Sequence, residues 1–230
     1  NDVNGLHQLL NVPKNPITIS YSLPLKSETI TPSYDNMLRI IQQKLQENNV
    51  LKPNYQFSFT LKQIDSYEQL ALFFGEEINL SDLFKITSPN PIHKTVAVLD
   101  ISQSYFSIAM DMPEEELSNS PIVQEQLSEL IYVGSIEFGR RSILIVESDL
   151  NYQDVKVALN EILNKSTTKK GDISEKSKSI MASSIIRGLI LDPLANENIT
   201  PDNPLEYLLD YINSDISPND FGVPIFFTAA

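Results

Sequence analysis

Apolar residues in this chain recur at every second position in some stretches and every third or fourth in others, and the switches mark out its elements. Ile17, Ile19, Tyr21 and Leu23 alternate with polar residues, which predicts a half-buried strand after a polar arm, 1–16. Beyond Pro32, Ser33 is placed to cap a helix in which Met37, Ile40, Ile41 and Leu45 share one face and Asn48-Asn49 forms the end. From Tyr55 the period returns to two: Tyr55, Phe57, Phe59 and Leu61 lie on one side, Gln56, Ser58, Thr60 and Lys62 on the other. Residues 95–112 predict a long strand whose alternation slips near Asp100, as a bulge there would make it do. The run Ile131 to Glu147 is β-branched throughout, with only Gly134 and Gly139 as interruptions. Strands usually have about 5–6 residues, and glycine within one marks a bend, so the expectation is a single long central strand bent at Gly139-Arg140. A helix capped within 149–151 follows, with Val155, Ala158, Leu159 and Ile162 inward. Then come a strand over 183–191 stopped by Asp192-Pro193, a helix from Pro204 with Leu205, Leu208, Leu209 and Ile212 inward, and an apolar ending, 221–228.

Two segments depart from this regularity. Residues 67–86 satisfy both periods: as a helix, Leu70, Phe73 and Phe74 make a short apolar face before Gly75, whereas as extended chain Leu70, Leu72, Phe74, Ile78, Leu80, Phe84 and Ile86 all point one way. Two short helices packed on a sheet and a segment able to become a membrane hairpin both fit; in the second, those seven are the candidate membrane-facing residues, opposed by Glu76 and Asp82. Residues 165–179, by contrast, hold Ile173 as their one strongly apolar side chain. A spanning strand needs about 9–11 residues alternating apolar and polar, which this segment lacks.

Composition narrows the classes. With 230 residues, 41% of them hydrophobic, the chain can build a sizeable core. A formal net charge of -13 argues against nucleic acid and against a polybasic membrane anchor. There is no cysteine, hence no disulfide or thiolate metal site, and no tryptophan. No basic segment followed by an apolar one opens the chain, so an export signal is expected to have been removed or never present. Enzymatic chemistry finds little to use. His7 and His93 are the available imidazoles, no Gly-x-Ser-x-Gly elbow exists, and acidic residues show no metal-loop spacing. Gly134 to Ser142 imitates a phosphate loop, but with Arg for Lys and strand in place of the helix whose N-terminus such a loop needs. No cofactor, no metal and no enzymatic activity are expected.

Tyr132-Val-Gly-Ser-Ile-Glu-Phe-Gly139-Arg140 is similar to a central strand of the cholesterol-dependent cytolysins, also called thiol-activated cytolysins, a family of pore-forming toxins. Flanking segments resemble their counterparts in the same order. Ile17 to Pro24 is similar to the strand closing in Asp-Leu-Pro, and Tyr67-Glu-Gln-Leu-Ala-Leu to the start of the first membrane-inserting bundle. Tyr105-Phe106 through Pro113 resembles a Tyr-Tyr-Thr-Val strand, Ser183-Ser184-Ile185 a Ser-Ser-Phe strand, and Gly222-Val-Pro-Ile-Phe-Phe-Thr228 a Gly-Val-Pro-Ile-Ala-Tyr-Thr segment. The resemblance implies an α+β fold, a bent, twisted antiparallel central sheet flanked by helices. It also implies a single cytolysin-like core over 1–230, with helical bundles at 66–94 and 164–182.

The same resemblance implies a secreted or cell-envelope-attached bacterial protein that forms a homo-oligomer, or assembles with a related cytolysin, by strand pairing, and then inserts hairpins in a membrane. The departures from the family are specific. Its immunoglobulin-like C-terminal domain, with a Trp-rich loop and a cholesterol-recognising Thr-Leu pair, has no counterpart here, so cholesterol binding by this chain is not expected. Asp192-Pro193 replaces a Gly-Gly pair at a strand bend, and the second inserting bundle is the polar stretch 165–179. These departures favour an alternative, a non-lytic interaction or regulatory protein built on the same core.

Overall fold

A computed structural model describes residues 12–51, 57–70, 80–88, 90–111, 118, 120, 132–168, 171–191 and 203–229. In chain order its elements are β1 (Ile17–Tyr21), β2 (Glu28–Ile30), α1 (Tyr34–Asn48), β3 (Ser58–Ile64), a 3-10 turn (Tyr67–Leu70), α2 (Leu80–Phe84), β4 (Thr95–Met110), β5 (Val133–Ser148), α3 (Tyr152–Thr168), α4 (Glu175–Ala182), β6 (Ile185–Leu191), α5 (Pro204–Asn213) and β7 (Val223–Ala229). The strands form one antiparallel, unclosed sheet in the order β2-β1-β4-β5-β6, with β3 also beside β4 and β7 also beside β5. The long central strand read from the sequence is β5.

The chain divides into two compact units: 1–54, 104–139 and 216–230 in the first, 55–103 and 140–215 in the second. In the second unit both faces of the sheet are covered, and this explains why its strands read as near-continuous apolar runs. Ala97, Leu99, Ile101, Leu144, Val146 and Ile190 face α3, α4 and α5, while Val96, Val98, Ile143 and Ile145 face the 3-10 turn and α2. The bulge expected near Asp100 is absent from the β3–β4 ladder, whose register runs unbroken from Ser58↔Ser102 to Ile64↔Val96. Burial of both faces puts apolar residues at consecutive positions of β4. The strand expected from Tyr55 begins at Ser58; Tyr55 and Gln56 lie outside the described residues.

In the first unit Ser33 caps α1, its side chain accepting from the Asn36 N–H, and Asn49 closes the helix in the left-handed region. Met37, Ile41 and Leu45 are the buried stripe. Phe106, Phe138 and Phe221 form an aromatic cluster with centroids 5.3–6.2 Å apart. The β5–β7 register shifts between Val133 and Ser135 and again between Glu137 and Phe138.

Candidate functional site

The first part of the site is the cover that the 3-10 turn and α2 lay on one face of the sheet in the second unit. Tyr67, Leu70, Phe84 and Ile86 are buried in one cluster with Ile64, Val96, Val98, Ile143 and Ile145. Of the seven residues marked out by extended periodicity, Leu70, Phe84 and Ile86 therefore lie together against the sheet. Leu72, Phe74 and Ile78 lie outside the described residues, and of Leu80 only its place at the start of α2 is described. Under the same cover sits a polar group that sequence reasoning missed. Glu147, 2% exposed at the end of β5, pairs with Arg187 of β6. Tyr67 completes the group: burial first, and then its hydrogen bond to the Glu147 carboxylate, push its hydroxyl well above the usual tyrosine range.

The second cover is built from three helices. Val155, Ala158, Leu159, Ile162 and Leu163 of α3 pack with Ile180 and Met181 of α4 and with Leu205, Leu208, Tyr211 and Ile212 of α5. The turn between α3 and α4 is held by one carboxylate. Glu161 accepts from Lys165 Nζ at 2.7 Å, from the Ser174 N–H at 3.1 Å, and from the hydroxyls of Ser174 at 2.6 Å and Ser177 at 2.5 Å. Lys165, followed by the two serine hydroxyls, holds the Glu161 carboxyl at about 2. Ser174 is also the N-cap of α4. The polar stretch 165–179 thus supplies the end of α3, a cap and the start of α4.

Gly139 and Arg140, expected at a strand bend, lie mid-β5, both buried. Gly139 stands opposite Val223, and its backbone is pressed against Gly222, where an added Cβ would sit 2.2 Å from the Gly139 carbonyl oxygen. Arg140 is 1% exposed. Its guanidinium lies 4.5 Å from the centroid of the Tyr211 ring and donates to the carbonyls of Tyr211 at 2.6 Å, Ser214 at 3.0 Å and Asp215 at 3.4 Å. It therefore caps the C-terminus of α5, where a helix presents unpaired carbonyls and partial negative charge. The other end of α5 rests on β6 at Gly188, and Tyr211 Oη donates to the Leu191 carbonyl at 2.6 Å.

Elsewhere, His93 Nδ1 lies 3.0 Å from Asp149 Oδ1. In the first unit an apolar cleft of about 280 Å³ is bordered by Ile17, Ile19, Met37, Ile108, Met110 and Val133. Among the described residues no cluster suits a metal ion, and no helix is long and apolar enough to cross a membrane, which says nothing of strands.

No family model and no curated protein matches the chain. Solved structures do. Pneumolysin at 1.98 Å resolution is similar over 95% of this chain and 51% of its own, with 19% identity and a TM-score of 0.72. A non-hemolytic pneumolysin from Streptococcus pneumoniae strain ST306 matches over 96% and 52%, with 17% identity and a TM-score of 0.70. The human-specific toxin intermedilysin matches over 95% and 51%, with 21% identity and a TM-score of 0.65. The chain spans about half the length of these structures, which are toxins and not enzymes. At such identities the likeness establishes the cytolysin core fold and nothing finer.

Proposed function

We propose that this chain is the core of a pore-forming-toxin-like protein, secreted or held at the cell envelope. It assembles through paired strands, with copies of itself or with a related cytolysin, and gives up one of its two covers to a membrane. The observation that carries the reading is the dual periodicity of 67–86, a segment whose described apolar residues lie on the sheet and whose extended form would put all seven on one side. Tyr67, Leu70, Phe84 and Ile86, with the partly buried Leu83, pack the described part of the first cover against Val96, Val98, Ile143 and Ile145. Extended, it would offer Leu70, Leu72, Phe74, Ile78, Leu80, Phe84 and Ile86 to lipid. Strands entering a bilayer must pair until a barrel closes, because only closure satisfies every backbone group there.

A second reading, a non-lytic partner or inhibitor built on the same core, is favoured by α3 and α4. Lys169, Lys170, Asp172, Glu175, Lys176 and Lys178 crowd the stretch that would have to face lipid, and a midplane Lys in a barrel costs about 2–4 kcal/mol. Vesicles loaded with a self-quenched dye and carrying nickel-chelating lipid would receive the hexahistidine-tagged chain, alone and with a full-length cytolysin. Leakage with the chain alone supports pore formation. Altered leakage by the cytolysin, with none from the chain alone, supports the non-lytic reading, and no effect in either arm rejects both.

A further inference from the structure

Where the sheet of the first unit meets the start of α1, packing leaves an opening. Ile17↔Ile30 and Ile19↔Met110 are directly opposed pairs, so these side chains, with that of Ile108 two positions from Met110, share one face of β2-β1-β4. All five border the cleft of about 280 Å³, and Met37 of α1 borders it from the helix. Ile19, Ile30, Met37 and Ile108 are buried, whereas Tyr34, 54% exposed, and Val133, 47% exposed, stand at its mouth. The volume lies just under the roughly 300–1,000 Å³ of ordinary ligand pockets. That suits one slender chain and excludes a ring system or a two-chain lipid.

Charge is placed around the cleft against the trend of the chain. The sequence has 30 acidic side chains and 17 Lys and Arg, yet the one charged side chain bordering the cleft among the described residues is Lys14. Its Nζ donates to the Val12 carbonyl at 3.5 Å, near the limit of a hydrogen bond; a carboxylate is the stronger acceptor. Ser33, the cap of α1, and Tyr34 border the same opening, at the helix end whose dipole favours an anion. Asp35, in that first turn, is exposed and does not border the cleft.

We propose that the cleft holds a single-chain anionic amphiphile of the fatty-acid class, with its alkyl chain against Ile17, Ile19, Ile108 and Met110 and its carboxylate at Lys14. Apolar walls alone accept any hydrocarbon; a cation with no carboxylate beside it selects the head. The inference stands apart from the membrane reading above, because every residue it uses lies in the first unit.

Dodecanoate, kept below its micellar concentration, is the probe, and calorimetry on the full chain should show saturable binding. From octanoate upward, affinity should rise roughly fourfold per added methylene and stop rising once the cleft is full. Dodecanol should bind roughly tenfold more weakly than dodecanoate, and K14Q should weaken dodecanoate roughly tenfold, the size of one charged hydrogen bond, while leaving dodecanol unchanged. The chain has no tryptophan, so Y34W supplies a single reporter at the mouth. Acrylamide should quench it in the free protein, and 12-bromododecanoate should quench it on binding. Absence of saturable heat overturns the proposal, as does equal binding of acid and alcohol or a K14Q affinity equal to the parent's. Heat without quenching of Y34W would put the ligand elsewhere. A Y34W signal shielded from acrylamide before any ligand is added would mean that this chain or a second copy already fills the cleft, and that result also overturns it.

Discussion

Replacing Arg140 by Met keeps most of the apolar stem and removes the guanidinium, and the size of the loss can be worked from its surroundings. Hydrogen bonds from a charged donor are worth about 1.5–3 kcal/mol each, and Arg140 makes such bonds to the Tyr211, Ser214 and Asp215 carbonyls. A cation at a partly buried helix C-terminus adds up to about 2 kcal/mol. Stacking on a desolvated aromatic face adds about 2 kcal/mol. Desolvating the guanidinium offsets several kcal/mol of that gross gain. Removing the guanidinium leaves the three carbonyls without it, at about 1–3 kcal/mol for each that stays dry, so a net loss of about 3–5 kcal/mol is expected. In a chain of this size each kcal/mol shifts the melting temperature by about 2–4 °C, so R140M should melt about 6–20 °C lower. R140K should fall between, since one ammonium cannot span the carbonyls that a planar fork reaches. Circular dichroism melting and urea titration measure both. An R140M melting temperature within about 2 °C of the parent would show that Arg140 does not hold α5 to the sheet.

Three further outcomes are expected. In G188A the new Cβ would sit 2.6 Å from Leu144 Cδ2 and 2.9 Å from Pro204 Cβ, both buried, so urea unfolding should show a loss of about 1–3 kcal/mol; a neutral result would mean α5 can shift on β6. In G222A the three atoms nearest the new Cβ would all be Gly139 backbone, at 2.2–2.9 Å, from a residue with φ of +84°, so unfolding should show a loss of about 3 kcal/mol or more, and an unchanged melting temperature would deny the close approach of β5 and the start of β7. Glu161, held at about 2 against an ordinary 4.5, has a depressed folded value, so its stabilisation is full above about pH 4.5 and drains as pH falls towards 2. E161Q should flatten that part of the melting-temperature profile, and an unaltered acid limb would show that the carboxylate does not hold the α3–α4 turn.

What the sequence revealed, and what it hid, follows from range. The cap at Ser33 and the stripe Met37, Ile41, Leu45 were legible because capping and helical spacing act within one or two turns. The length of β5 was legible because burial on both faces leaves an unmistakable β-branched run. The three-residue β2 offers too few positions to show a period. Burial of both faces also blurs the alternation near Asp100, where the β3–β4 ladder runs unbroken. Glu147 looks like any solvated charge at a strand end, since its partner lies 40 residues away in a different strand. Lys165 is legible as the i+4 partner of Glu161, but Ser174 and Ser177 reach that carboxylate only once the chain has turned back on itself. Arg140 was found through the company it keeps in the sequence. Its work at the end of α5 depends on residues more than 70 positions on.

If the segment 67–86 enters a membrane while α3 and α4 remain helical, fluorescence from an environment-sensitive dye at single cysteines shows it. The dye would be placed in turn at L72C, L80C, T168C and S179C, with the tagged chain assembled on nickel-chelating vesicles. A blue shift is expected at L72C and L80C, with a water-like spectrum at T168C and S179C. Blue shifts at T168C and S179C with none at L72C and L80C would contradict it.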